Sequence, residues 1–287
     1  MRLFTRFLLA AFAAAIIGMV AAPARATLVT GWATEGGSNG NGTVTDNGGG
    51  SFSTTAPTGN LTPRALLAST LTLTNPGDQI VFSGQVAMAG AIGINGNESF
   101  RFWLLNSNGN PTGTISSGVW TGDTISNWLG YAALIGDTNN GTGFNNLDGR
   151  LTPNTGNWYS GTGAYVNQST ANTAVLAAPA TYNFKLTLTL TSATSITEAY
   201  SFADTGGMIS LSNSVLDTGS LNGGNVSTKS FNAVGFLMNA SSGGAATYSN
   251  VDVTYIPVPE PASLALLGLG GIGLGLTALR RRVLAVT

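Results

Sequence analysis

Few residue types in this chain can do chemistry. It is 287 residues long, has no histidine and no cysteine, and is only 8% charged. Ser–His–Asp and Cys–His catalysis fall away, as do His- or Cys-ligated zinc and haem, because each needs an imidazole or a thiolate. No glycine-rich phosphate loop follows a strand and opens a helix. Carboxylates remain, since a glycosidase needs only two of them. The glutamates of the central body are Glu35, Glu98 and Glu198. None belongs to a compact Glu-x-Asp-x-x-Glu motif. Glu98 reads as a strand-end surface carboxylate and Glu198 as an edge or paired one, so no catalytic residue is assigned.

Two other constellations could bind. Asp137, Asn139, Asn140, Asn145, Asn146 and Asp148 put many oxygen ligands in one stretch, which suits calcium. The spacing fits no EF-hand loop, and Asx-rich turns form without metal. Asp137, Asn139 and Asp148 are therefore a weak calcium set, and no other cofactor is expected. Trp120, Trp128, Trp158 and Tyr159, with Tyr165 nearby, gather in a loop-rich middle region. Aromatic faces beside polar groups suit a sugar ring, so these four are candidate carbohydrate contacts; the alternative is that they are core residues or loop anchors. Threonines alternate at 70, 72 and 74 and again at 187, 189 and 191. Such hydroxyl arrays occur on some ice-binding proteins, but threonine is also an ordinary residue for the solvent face of a strand.

The segments that must place these residues are three. At the start, Arg2 and Arg6 precede an apolar run from Phe7 to Val20, and Ala24-Arg25-Ala26 gives a small-x-small site. This predicts a secretory signal peptide over 1–26, cut after Ala26 by signal peptidase on the Sec route. The body, 27–256, holds five cationic side chains and eleven carboxylates, a net −6. That balance argues against nucleic acid as a partner. An exported body without disulfides has to rest on a large apolar core.

At the other end, Ala262 to Leu279 is 18 residues without a charge, and Arg280, Arg281 and Arg282 follow. As a helix it would span roughly 27 Å, close to the ~30 Å hydrocarbon core of a bilayer. The terminal arginines favour the cytoplasmic side. Pro257, Pro259 and Pro261 keep the preceding segment extended. Val258, Pro259, Glu260 and Pro261, the apolar span and the arginine cluster together resemble the PEP-CTERM sorting signal of Gram-negative bacteria, placed over 257–282. The resemblance implies recognition by an exosortase-type membrane protease or transpeptidase, with the tail removed near Pro259-Glu260-Pro261. It further implies a protein at the cell surface or outside the cell, transiently membrane-anchored and associated with exopolysaccharide and biofilm. Tails of this kind are also labelled an ice-binding-protein C-terminal motif, a label that concerns the tail and not the body.

Within the body, period-two runs predict strands. Leu71 and Leu73 alternate with threonine, and Asn75-Pro76-Gly77-Asp78 reads as a turn. Gln79–Met88 follows, with Gly84 as a possible bulge. Residues 100–105 carry bulk on both faces, which predicts a central strand. A run from 128 to 135, a hairpin over 182–203 turning at 192–195, and strands at 208–211, 234–238 and 248–256 complete the set. Leu28–Trp32 reads as a candidate first strand, and residues 33–60 and 137–172 read mostly as loop. Some ten strands without an amphipathic helix predict an all-β body, an antiparallel β-sandwich of the jelly-roll or concanavalin A-like kind. A β-solenoid is the alternative, but no repeat period supports it. The expectation is a non-catalytic exported matrix protein, with a carbohydrate-binding or glycan-active protein as the alternative.

Overall fold

From Tyr182 to Thr191 apolar and polar residues alternate without a break, and a strand sends successive side chains to opposite faces. Tyr182, Phe184, Leu186, Leu188 and Leu190 are accordingly all buried. The returning strand lies in register from Tyr182↔Asp204 to Leu190↔Ile196, and the ladder shifts only at the turn. This hairpin is the organising pair of a larger array.

The computed structural model describes residues 24–35, 42–55, 59–89, 99–109, 112–116, 119–123, 128–136, 145–150, 166–171, 179–219, 226–240 and 245–258. Among the described residues there are 18 strands and no helix. In chain order they are β1 (Arg25–Leu28), β2 (Ala33–Glu35), β3 (Val44–Gly48), β4 (Ser51–Thr54), β5 (Gly59–Leu61), β6 (Pro63–Thr72), β7 (Gln79–Met88), β8 (Ser99–Asn106) and β9 (Thr112–Ser116). Then come β10 (Val119–Asp123), β11 (Leu129–Gly136), β12 (Asn145–Arg150), β13 (Val166–Ala171), β14 (Ala180–Ser192), β15 (Ser195–Asp204), β16 (Ser210–Asp217), β17 (Ser230–Ala240) and β18 (Ala246–Ile256).

Two sheets result. Sheet A runs β16-β15-β14-β7-β18-β4-β3, with β1 also on β18. Sheet B runs β13-β12-β11-β8-β17-β6-β2-β10-β9, with β5 also on β17. The ladders are antiparallel, with β10 on β2 a parallel exception. The sheets pack face to face as a β-sandwich, and aromatic rings fill the space between them. Phe236 of sheet B meets Phe82 and Phe184 of sheet A at 5.3 and 5.1 Å between centroids. Phe52 stacks on Tyr248 at 4.1 Å. Each fully buried ring of this size contributes roughly 2–3 kcal/mol of transfer free energy. Arg25–Tyr255 forms one compact unit.

The turn at 75–78 forms as its residues require. Gly77 takes a φ of 98°, and the Asp78 carboxylate accepts from the Thr74 and Asn75 amides at 2.9 and 2.8 Å. Several other expectations need correction. Gly84 is no bulge, because the β7–β14 register runs through it unshifted; a Cβ there would meet the Phe184 ring at 2.8 Å, so close packing is its reason. Residues 28–32 do not form one strand, since β1 ends at Leu28 and β2 starts at Ala33, and 33–60 is not mostly loop but contributes β2 to β4 and the start of β5. There β3 and β4 turn through Gly48, Gly49 and Gly50, all at positive φ. Asn145–Arg150 is strand β12 rather than loop, and 166–171 is strand β13. The strand expected at 208–211 starts only at Ser210. Met208 lies in the preceding turn, 89% exposed, where the Asp204 carboxylate accepts the Ile209 amide at 2.8 Å.

Candidate functional site

Trp103, Trp128 and the buried Arg64 gather on one surface, the outer face of sheet B. The register puts Asp148, Ala132, Trp103, Gly235, Arg64 and Ala33 in a single row across six strands. The neighbouring row carries Arg150, Gly130, Leu105, Ala233 and Leu66. Large side chains thus alternate with glycine or alanine along the row. Trp103 stands between Ala132 and Gly235, and Arg64 between Gly235 and Ala33. That alternation leaves lateral room that an all-large row would fill.

This face is apolar as well as charged. Trp103, Leu105, Trp128, Ala132, Ala233 and Leu237 form a second hydrophobic cluster, separate from the core between the sheets. Trp103 and Trp128 are 0% and 1% exposed, and Arg64 is 1% exposed. The Arg64 guanidinium carbon lies 5.1 Å from the centre of the Trp128 ring, within cation–π range. The Trp128 indole N–H is buried and has no hydrogen-bond acceptor among the described residues. Beyond Ala33, Glu35 of β2 pairs with Trp120 of β10, so the position of Trp120 continues this face toward the sheet edge.

The inner face holds the other polar cluster. Tyr131 of sheet B donates its hydroxyl to Asp217 of sheet A at 2.8 Å, and it accepts the Ser227 amide at 3.2 Å. Gly219 donates to the second Asp217 oxygen at 2.7 Å. Burial, then the Asp217 charge, pushes the Tyr131 phenol far above its usual range. Asp217 lies opposite Ile196, and Glu198 is two residues further along the same strand and face. These two acids are thus neighbours, but they are 4% and 0% exposed and sealed between the sheets. A glycosidase pair needs a substrate cleft between its carboxylates.

The residues singled out in the sequence scatter. Trp128 joins Arg64 and Trp103, two partners that sequence reasoning did not select. Trp103 had a signal, since 100–105 carries bulk on both faces. Arg64 had a fainter one, a lone cation inside an apolar run. Asp148 sits in β12, paired with Ala132. Asp137, Asn139, Trp158 and Tyr159 lie outside the described residues, as do Pro259, Glu260, Pro261, Arg280, Arg281 and Arg282. Val258 is the last residue described. Ala24 and Ala26 are exposed, and Ala26 lies in β1 opposite Thr254 of β18. Among the described residues no helix is long and apolar enough to cross a membrane.

In structure the chain is similar to winged bean acidic lectin complexed with methyl-alpha-D-galactose, with a TM-score of 0.47, 11% identity, and 81% of this chain and 97% of that one covered. It is similar to lectin II from Ulex europaeus at 0.43 and 11%, covering 82% and 98%. It is also similar to arcelin-5, a lectin-like defence protein from Phaseolus vulgaris, at 0.45 and 12%, covering 81% and 96%. No curated protein matches it in sequence. Residues 257–282 match the family model described as the PEP-CTERM protein-sorting motif. Such a motif marks an exported, membrane-sorted chain processed by an exosortase. On those 26 residues, directly after the last strand of the sandwich, the chain is a protein with a PEP-CTERM sorting motif.

Proposed function

We propose that the body, once exported and freed of its tail, serves at the cell surface or in the extracellular matrix as a non-catalytic protein that contacts exopolysaccharide through the tryptophan-bearing side of sheet B. The position of Trp120 carries this reading: on β10 it pairs with Glu35 of β2, toward the edge of sheet B. Trp128 and Arg64, each 1% exposed and stacked at 5.1 Å, are not themselves the contact but brace the face beneath it. Trp120 continues the same face toward the edge, and the Trp158-Tyr159 pair is a further candidate contact. The sealed position of Asp217 and Glu198 favours binding over hydrolysis.

Intrinsic tryptophan fluorescence of the secreted protein, titrated with exopolysaccharide purified from the same culture, tests it. A saturable change that weakens in Trp120→Ala supports contact at this face. A flat titration overturns it.

A further inference from the structure

The outer face of sheet A is laid out so that it complements itself. In the path β16-β15-β14-β7-β18-β4-β3 the middle strand is β7, with three strands on either side. The side chains that β14, β7 and β18 send outward are hydroxyls, amides and small aliphatics, all half-buried or exposed. Two of them are charged, Lys185 and Asp252, and they stand on the two strands that flank β7. Lys185 pairs with Ser83, and the Ser83 hydroxyl donates to Asp252 at 3.0 Å. Thr254 donates to the other Asp252 oxygen at 2.8 Å. Lys185 is exposed and makes no ion pair among the described residues. The row thus runs cation, hydroxyl, anion, centred on the middle strand. Leu28 of β1 continues it opposite Asp252, 54% exposed.

We propose that two copies of this chain dimerise through the outer faces of their sheets A, on a two-fold axis that runs along β7 and passes over Ser83. Rotation about that line exchanges β14 with β18, β15 with β4 and β16 with β3. Lys185 of each copy then faces Asp252 of the other, and Leu28 comes over Ser201. A two-fold interface has to be self-complementary, and opposite charges placed evenly astride the axis meet that condition. The body carries a net −6, yet this stretch of its surface is neutral, so two copies can approach here without like charges meeting. Five strands by about ten residues make a face of roughly 24 by 33 Å, on the order of the 800 Å² that each partner gives to a standard interface. Small side chains let two such sheets stack about 10 Å apart. With no aromatic anchor the affinity is about micromolar. At the dilution of an unfolding experiment the face is therefore bare, and its substitutions act on assembly and not on the fold. In the dimer the tryptophan-bearing sides of sheet B face outward on opposite flanks, so one dimer bridges two polysaccharide strands. That last consequence rests on the function proposed above; the dimer does not.

Sedimentation of the secreted protein between about 1 and 300 µM tests the proposal. Wild type is expected to pass from monomer to dimer mass. Lys185→Glu, at an exposed position, sets Glu against Asp252 and is expected to weaken the dimer about tenfold or more. Lys185→Glu mixed with Asp252→Lys is expected to form the dimer that neither forms alone, because both cross-pairs are then restored; near-ultraviolet circular dichroism checks that each is folded. In the unaltered protein a carbodiimide, which joins an amine to a carboxylate as an amide with loss of water, is expected to give a dimer-mass species linked from Lys185 to Asp252. Wild type that stays monomeric throughout overturns the inference. So does a Lys185→Glu protein that dimerises like wild type, a dimer cross-linked only elsewhere, or a mixture of two folded variants that stays monomeric. None of these measurements involves polysaccharide. A wild type that dimerises as expected but gives a flat polysaccharide titration takes down the proposed function alone.

Discussion

The two outer faces of this sandwich are built on opposite principles. On sheet A, one row runs Ser214, Ala199, Thr187, Val81 and the next Ser212, Ser201, Lys185, Ser83. These side chains are small or hydroxylated, half-buried or exposed, and Lys185 is the one charge among them. On sheet B, the row through Trp103 and Arg64 is buried and carries charge and aromatic rings together. A sheet wetted on one side shows clean alternation, whereas one covered on both sides shows near-continuous apolar runs. The contrast separates a wetted face from one that is packed like a core, with the Arg64 guanidinium held against the Trp128 ring.

Substitutions can break that contrast. The largest loss is expected for Trp103→Ala, because it empties the centre of a cluster sealed on every side. A buried tryptophan cut to alanine costs about 3–5 kcal/mol, read from the denaturant midpoint of the secreted protein. If Trp103→Ala unfolds no earlier than wild type, the outer face of sheet B is not a second core. Gly130→Ala follows at about 3 kcal/mol, since a Cβ there would drive into the Leu104 carbonyl oxygen, which is backbone and cannot move aside. Gly84→Ala, on the inner face of sheet A, is expected to cost about 1–3 kcal/mol, because the Phe184 ring and the Val251 backbone crowd the added methyl. A Gly84→Ala loss as large as that of Trp103→Ala would erase the distinction between a packed inner seam and a specially sealed outer face.

The same difference explains what could be read without a structure. The 182–203 hairpin belongs to a sheet with one wet face, so its period-two pattern names both its strands and its buried residues. The central strand at 100–105 was equally legible, because bulk on both sides has only one interpretation. Strands β9, β10, β12 and β13 were not. They lie toward the ends of sheet B and are rich in Asn, Gly, Thr and Ser, so their own sequence reads as loop; the partner strand makes them strands. Asn145 and Asn146 illustrate the consequence. As loop residues they would converge on one ion, but in β12 consecutive residues belong to opposite faces. Arg64 was illegible for a related reason: which face a cation takes depends on a register that only the fold supplies.

An alkaline titration reads the shared core instead of either outer face. An unfolded tyrosine ionises near 10. Burial pushes Tyr200 up to about 12, and Tyr248 and Tyr131 higher still. The folded state therefore holds protons that the unfolded chain releases. Stability is undiminished below about pH 10 and is lost as the pH climbs from there toward 12. Phenolate absorbance and near-ultraviolet circular dichroism should change together in that window. Tyr200→Phe should move the midpoint upward, since one such group is gone. Ionisation of the tyrosines without loss of tertiary signal would mean that the seam between the sheets is open to water.

The smallest effect is expected where the sequence is most regular. Thr187 sits mid-sheet in the Ser214–Ala199–Thr187–Val81 row, half-buried and flanked by small residues. Thr187→Ala gives up a little strand preference and no packed contact of consequence, so a change within about 0.5 kcal/mol is expected. Thr187→Lys adds a second charge beside Lys185 in a region that has room for it, and should leave both the denaturant midpoint and the fluorescence response to exopolysaccharide where they are. The informative result is the contrary one. If Thr187→Lys abolishes that response while the protein stays folded, the hydroxyl face of sheet A is the contact surface. Burial of Trp103, Trp128 and Arg64 would then be a device for stability alone, and the roles of the two faces would be reversed.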